Sequence, residues 1–351
     1  MGQDLTAARA VLGHYQLADA ALEPLGSGLI NETWLVTSGA GERFVLQRVA
    51  ELFPGEINRD IEVVTRALLD HGVLAPRMVP TADGSLWVER ERQNWRLMTW
   101  LPGDCHDSLS SAAQGRSAGR LLGRFHRALA DLDHDFANPR LGVHDTARHL
   151  AALRDALRVH AGHPRFAHVA PLAGEILAAA ESLPELPRTP DRIVHGDPKI
   201  NNMLFDVASG EATAMVDLDT VGRMPLPLEL GDAFRSWCNP SGEDGRSGEF
   251  SVALFAAALE GYAEAAAGWL TPEEADAFVP ATETIILELA ARFCADALNE
   301  SYFGWDPECF PTRGQHNELR TAGQLSLLRS FVTRRAELET CAADLFGGAA
   351  V

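Results

Sequence analysis

Over the first hundred positions, apolar and polar residues trade places in short runs. Thr33-Trp34-Leu35-Val36-Thr37 and Arg43 to Val49 read as strands, the first preceded by a turn at Gly26-Ser27-Gly28. The period then changes. From about Ile57 to Asp70 the apolar residues Ile61, Val64 and Leu68 fall on one face of a helix, and His71-Gly72 supplies its stop signal. Leu86 to Arg90 and Trp95 to Trp100 read as a hairpin pair. Leu101-Pro102-Gly103-Asp104 breaks the pattern, and we place a boundary there, giving lobes of residues 1–101 and 102–351.

Beyond Ser111 the spacing is helical. Leu121, Leu122, Phe125 and Leu129 form one stripe, and Leu150 to His160 and Leu172 to Leu183 add further helices. Three brief β segments interrupt them, Arg192 to His195, Met203 to Asp206 and Ala214 to Leu218, with polar residues at their ends. From Leu230 to the C-terminus, alanine, leucine and glutamate recur at helical spacing. The expectation is an α+β, bilobal protein with a small β-rich N-lobe, a larger mainly helical C-lobe and a cleft at the hinge.

Composition narrows the classes. At 351 residues, 46% hydrophobic and 23% charged, the chain can bury a sizeable core, and no apolar run approaches the roughly 18 residues that would span a bilayer. A net charge of −19 disfavours nucleic acid and anionic membrane surfaces as partners, so an anionic ligand would need a local cationic pocket. Five cysteines without a paired CxxC spacing argue against a zinc knuckle and a disulfide framework. With no basic segment leading an apolar block near Met1, the reading is a cytoplasmic, reducing environment.

Among the basic residues, one lysine stands against twenty-nine arginines, and it lies within His195-Gly196-Asp197-Pro198-Lys199-Ile200-Asn201-Asn202. Lysine is a compact point charge and guanidinium a wide planar fork, so a site needing one cation beside a transferring phosphoryl group could admit lysine alone. In-line phosphoryl transfer needs a carboxylate to orient or deprotonate the acceptor hydroxyl, and oxygen ligands for magnesium on the nucleotide phosphates. Asp197 and Asn202 fit those needs. Twenty residues after Asp197, Met215-Val216-Asp217-Leu218-Asp219 is an apolar strand ending in acid, which brings a second metal-binding carboxylate to the same wall.

These motifs, in this order, resemble the aminoglycoside phosphotransferase and choline kinase superfamily, relatives of protein kinases, over nearly the whole chain. The resemblance implies a protein-kinase-like fold, ATP and Mg2+ as cofactors, Asp197 as the catalytic aspartate, and Asn202 and Asp217 as magnesium ligands. It also implies Lys199 as a contact to the γ-phosphate, His195 as an organiser of the loop, and Asp219 as either a further metal ligand or a structural acid. Asp232 is either a helix cap or the anchor of the Asp197 loop. More narrowly, Gly26-Ser27-Gly28-Leu29-Ile30-Asn31-Glu32-Thr33, Val45-Leu46-Gln47-Arg48, Val216 to Val221 and Leu230 to Arg235 resemble the N-acetylhexosamine 1-kinases, as do Arg292-Phe293 to Asp296 and His316-Asn317 to Arg320.

Three departures from the family pattern stand out. Where a strand lysine would meet the α- and β-phosphates, this chain has Gln47-Arg48, so that contact falls to Gln47, Arg48 or backbone amides. The usual helix glutamate has no clear counterpart, with Glu56, Asp60 and Glu62 all available. Leu29 stands where the sugar kinases' loop has a histidine. Gly26-Ser27-Gly28 fits either a hairpin turn or a cover of backbone N–H groups over phosphates. Trp100 and Leu101 beside the hinge are placed at an adenine pocket, and His126 is read as a satisfied core histidine.

For the acceptor, Asn31, Arg292, Asp296, Asn299, Tyr302, His316 and Arg320 offer polar groups that could converge on a hydroxyl-rich ligand. The expected reaction is transfer of the ATP γ-phosphate to a hydroxyl of a small acceptor, foremost the anomeric hydroxyl of an N-acetylhexosamine. The alternatives are an aminoglycoside or choline-like alcohol, and a catalytically inactive kinase-like binding module.

Overall fold

The protein was analysed as a computed structural model, which describes residues 5–26, 31–139, 142–266 and 268–347. Helix α1 (Leu5–Leu12) leads into strands β1 (Ala21–Pro24), β2 (Glu32–Thr37) and β3 (Arg43–Val49), then helix α2 (Ile57–Asp70) and strands β4 (Met78–Val79), β5 (Val88–Arg90) and β6 (Gln93–Thr99). The strands form one antiparallel sheet in the order β1-β2-β3-β6-β4, with β5 also paired to β6. The hairpin expected around Trp95 is β5–β6. Helix α1, of eight residues, and the edge strands β1 and β4, of four and two residues, were not foreseen, since such short stretches carry too little periodicity to be read.

The two faces of this sheet have different partners. On one, Trp34 and Trp95 stack with ring centroids 5.4 Å apart and join Leu46, Leu97 and α1 in a compact cluster. On the other, Val49 and Met98 join the large core shared with α2 and the C-terminal helices. Because side chains alternate along a strand, Gln47 and its register partner Arg96 belong to this second face. Arg48, opposite Glu32 and Trp95, belongs to the first.

The helical region comprises α3 (Ala112–Ala128), α4 (Thr146–Val159), α5 (Phe166–Ala180), α6 (Leu226–Trp237), α7 (Val252–Ala266), α8 (Pro272–Asp276), α9 (Phe278–Asn299) and α10 (Arg313–Phe346). Between α5 and α6 lie β7 (Asp191–Val194), β8 (Met203–Phe205), β9 (Ala212–Met215) and β10 (Gly222–Pro225), paired antiparallel as β7–β10 and β8–β9. The strand expected to run to Leu218 stops at Met215. Asp217 adopts a left-handed backbone with φ 62° and ψ 57°, and Leu218–Thr220 coils into a tight turn. This antiparallel sheet followed by a helical region is the mixed α+β arrangement of a protein-kinase-like fold.

Candidate active site

Two loops form the centre of the site, the one after β7 carrying His195 to Asn202 and the one after β9 carrying Asp217 to Thr220. Backbone and side-chain bonds stitch them together. Val216 N–H donates to the Asn202 carbonyl at 2.9 Å, His195 Nε2 donates to the Val216 carbonyl at 2.9 Å, and the Thr220 hydroxyl donates to the His195 carbonyl at 2.9 Å. Gly196 is glycine of necessity: its φ is 82°, and a Cβ there would lie 2.2 Å from the Thr220 carbonyl oxygen. His195 is fully buried, and burial pulls its pKa below the usual range despite the nearby acids Glu229 and Asp197. A neutral ring fits the bonding, because Nδ1 accepts the Asp197 N–H at 3.4 Å while Nε2 donates.

Glu229 anchors this loop from below. Its carboxylate, with no exposed surface, accepts the N–H groups of His195 at 2.9 Å and Gly196 at 3.0 Å. The anchoring role considered for Asp232 therefore belongs to Glu229 on the same helix, α6. Asp232 instead accepts from Arg235 Nε at 2.8 Å, and Arg235 also donates to Glu243 at 3.0 Å. Burial would raise the Asp232 carboxyl, but Arg235, with His144 and Arg292 nearby, outweighs that and holds it below the ordinary value. His126 is buried, as read from its helical stripe; its Nδ1 lies 3.0 Å from the Tyr262 hydroxyl and its Nε2 3.6 Å from Glu229.

Asp197, Lys199 and Asn202 converge. Asp197 Oδ2 lies 2.9 Å from Lys199 Nζ and accepts Asn202 Nδ2 at 3.1 Å, while the same amide donates to the Asp197 carbonyl at 2.8 Å. Burial would pull Lys199 down, yet Asp197, with Glu243 and Asp217 beyond it, holds the ammonium above its normal range. Asp217 lies within electrostatic reach of the same group. Burial and the neighbouring carboxylates Asp219 and Asp197 raise its pKa against the opposing pull of Lys199 and Arg96.

Among the described residues no three His, Cys, Asp or Glu side chains converge into a self-sufficient metal site. Magnesium does not need one, since it completes its shell with phosphate oxygens and water around one or two carboxylates. Asp217 suits that role because it is crowded by other acids and takes no hydrogen bond from a described residue, so a bound cation would relieve it. Asp219 does not stand beside it as an equal: Oδ1 is paired with Arg96 and Oδ2 accepts Asn31 Nδ2 at 2.7 Å. Its second alternative, the structural acid, matches this geometry.

Several other expected site residues sit elsewhere. Arg48 lies on the face of the sheet away from Gln47, paired with Glu32 and 5.9 Å from the Trp95 ring. Gln47 faces the core, and its Oε1 accepts Arg96 Nε at 2.9 Å and Nη2 at 2.6 Å. Neither Glu62, paired with Arg66, nor Asp60, which holds His134 and the 137–138 backbone, turns to this arginine; Asn58 does, at 3.5 Å. Trp100 carries the Arg43 guanidinium 3.6 Å above its ring, and both Trp100 and Leu101 are half-buried. Gly26 has a positive φ of 73°, while Ser27, Gly28 and Leu29 lie outside the described residues.

Of the acceptor residues, Asp296 accepts the backbone N–H groups of Ser301, Tyr302 and Phe303 and the amide of Asn317, which makes it the anchor of that loop. His316 and Arg320 both hold Asp244, at 2.8 and 2.6 Å. These three are spent on local structure, not presented to a ligand. Asn299 and Tyr302 are exposed, and Arg292 lies 5.8 and 5.5 Å from the Tyr302 and Phe303 rings. A polar pocket beside Lys199 is instead lined by Asp107, Asn201, Arg235, Ser236, Asn239 and Glu243. Asn201 and Arg235 fall inside stretches the sequence singled out, but nothing in the pattern marked Asp107, Ser236, Asn239 or Glu243 as their neighbours, because the wall is assembled from separated segments.

Fold and site together define a kinase-like phosphoryl-transfer enzyme. The chain belongs to the Phosphotransferase enzyme family (APH), whose model matches residues 21–270. Similar solved structures include the microcompartment-associated aminopropanol kinase, at 17% identity and TM-score 0.65 over 95% of this chain and 98% of that one. Choline kinase from Cryptosporidium parvum Iowa II matches at 11% identity and TM-score 0.60 over 99% of each chain. Amicoumacin kinase, solved with AMP-PNP, Ca2+ and Ami, matches at 14% identity and TM-score 0.59 over 90% of this chain and 92% of that one. No helix among the described residues is long and apolar enough to cross a membrane.

Proposed function

We propose that the enzyme transfers the γ-phosphate of ATP, with Mg2+, to a hydroxyl of a small polar acceptor, and that this acceptor is a sugar phosphorylated on its anomeric hydroxyl, an N-acetylhexosamine foremost. The observation that supports the chemistry best is the convergence of Lys199 and Asn202 on one oxygen of Asp197. No described side chain bonds Oδ1 of Asp197, which would accept the proton of an acceptor hydroxyl. Asn202 Oδ1 and the Asp217 carboxylate would hold the metal, which would supply charge neutralisation across the phosphates. Lys199 offsets charge on the transferred group. In this reading residues 1–101 provide the nucleotide side and 102–351 the catalytic and acceptor side.

The sugar reading draws on the polar residues around a small cavity of about 50 Å³ beside Lys199, which would form one edge of an acceptor site and not hold a whole sugar. Asn201, Asn239, Ser236 and Arg235 are among the residues that line the cavity, and among the described residues no aromatic one does. Hydroxyl-rich ligands need convergent hydrogen-bonding groups, whereas quaternary ammonium ions favour aromatic walls. Asn239 is buried, and its Oδ1 has no hydrogen-bond partner among the described residues. A second reading, an amino alcohol or aminoglycoside, draws on Asp107 at the pocket wall, a carboxylate with no cationic partner among the described residues. ADP release measured across N-acetylglucosamine, N-acetylgalactosamine, aminoglycosides, aminopropanol and choline separates the two. Turnover of the sugars with a product phosphate coupled to H1 by NMR supports the first; turnover of the amines alone rejects it and leaves the kinase chemistry standing.

A further inference from the structure

The described part of the N-terminal sheet sends one buried guanidinium into the C-terminal loops. Arg96 on β6 is 1% exposed. Its Nε and Nη2 donate to Gln47 on β3, and its Nη1 is paired with Asp219 and lies 3.5 Å from Asn58 on α2. Four of the five N–H donors of a guanidinium are thereby directed. Asp219 is closed from its other side by Asn31, whose own Oδ1 accepts the Ala50 N–H at 2.9 Å just past β3. Elements before residue 100 thus meet on a single carboxylate, two residues from Asp217.

We propose that Arg96 is a positioning residue that decides which carboxylate of Asp217-Leu218-Asp219 is offered to the nucleotide-bound metal. Asp217 has a left-handed backbone, which a non-glycine residue keeps only when its surroundings hold it there. It has two holds. Upstream, Val216 is bonded through both its N–H and its carbonyl to the catalytic loop. Downstream, Arg96 and Asn31 draw Asp219 toward the sheet. With both in place, Asp219 is neutralised and turned away while Asp217 is left unpaired beside Asp197. Without Arg96, Asp219 keeps only the Asn31 amide and becomes a second buried carboxylate without a counter-charge, able to compete for the cation and to release the turn. This builds on the phosphoryl-transfer reading but concerns the loop itself, so it can be tested on the nucleotide-free protein.

The experiment compares the parent, Arg96→Met, Asp219→Asn and the double variant. Removing one partner of a buried ion pair leaves the other uncompensated, whereas removing both is frequently tolerated, so the double variant should recover most of the Tm that either single variant loses. Amide hydrogen exchange of residues 217–220 in the nucleotide-free double variant should still be faster by about tenfold, and the Mg2+ titration of nucleotide binding should shift to about tenfold higher concentration. Parent-like exchange and an unshifted titration in a stable double variant would overturn the proposal and leave the pair a structural contact. Arg96→Lys, which keeps the charge but cannot also bridge Gln47, gives a second reading should the double variant not fold: faster exchange at 217–220 supports the proposal and unchanged exchange overturns it. If the parent binds no nucleotide, the phosphotransferase assignment of the site fails, and the exchange comparison still decides the role of Arg96.

Discussion

The ammonium of Lys199 stands 2.9 Å from Oδ2 of Asp197, the same oxygen that accepts the Asn202 amide at 3.1 Å. One oxygen of the carboxylate is thus engaged twice, while the other takes no side-chain bond from a described residue, as the proposed role of Asp197 requires. Asp197→Asn keeps the shape and removes the proton acceptor. We expect turnover to fall by about two or more powers of ten with nucleotide affinity retained. Steady-state kinetics beside a nucleotide titration checks this, and full turnover in the variant would remove Asp197 from the reaction.

Lys199→Arg preserves charge and alters only shape. A guanidinium is wider than the ammonium it replaces, and the space beside Asp197 is shared with Asn202. Turnover should fall about tenfold or more. Activity within about twofold of the parent would mean that a point charge is not required and that the single lysine survived by chance.

The grouping of the candidate centre was legible in the sequence because Asp197, Lys199, Asn202 and Asp217 all lie within about twenty residues, on one short loop and one strand end of the kind proposed for phosphoryl transfer, and the structure brings the first three into contact. What escaped was assembled by tertiary structure. Arg96 sits mid-strand in Gln93–Thr99, and nothing in its neighbours tells its face from that of Arg48; only the β3–β6 register does. Glu229 looked like one more helical acid, and Asp232 three residues later was equally eligible to anchor the loop. Asp296, His316 and Arg320 had the right chemistry for a ligand, but two loops of their own region already claim it.

Glu229 offers a stability test independent of catalysis. Its two oxygens accept two backbone N–H groups, and Glu229→Gln turns one acceptor into an amide donor facing an N–H. Leaving a buried backbone donor unsatisfied costs about 1–3 kcal/mol. Chemical denaturation should show a loss of that order, accompanied by lower turnover because Gly196 adjoins Asp197. Parent-like stability would show that the loop is held by its other bonds.

His195 makes a prediction about pH whose sign can be worked out. Burial depresses its folded pKa, so between that value and the unfolded value of about 6.5 the unfolded chain binds more protons than the native one. Stability attributable to a neutral His195 is therefore complete above about pH 6.5 and is lost as the pH falls through the depressed folded value. Protonating Nδ1 would also set an N–H against the Asp197 N–H it now accepts. Asp217 acts in the opposite sense, because its raised pKa makes the native state hold a proton that the unfolded chain has released. A pH scan of the parent alone would mix the two. The difference between the parent and His195→Gln, whose amide can still donate to the Val216 carbonyl, isolates the imidazole. Acidification from about pH 7.5 to about 5.5 should lower the Tm of the parent more than that of His195→Gln, and parallel curves would show that the imidazole does not titrate in this range.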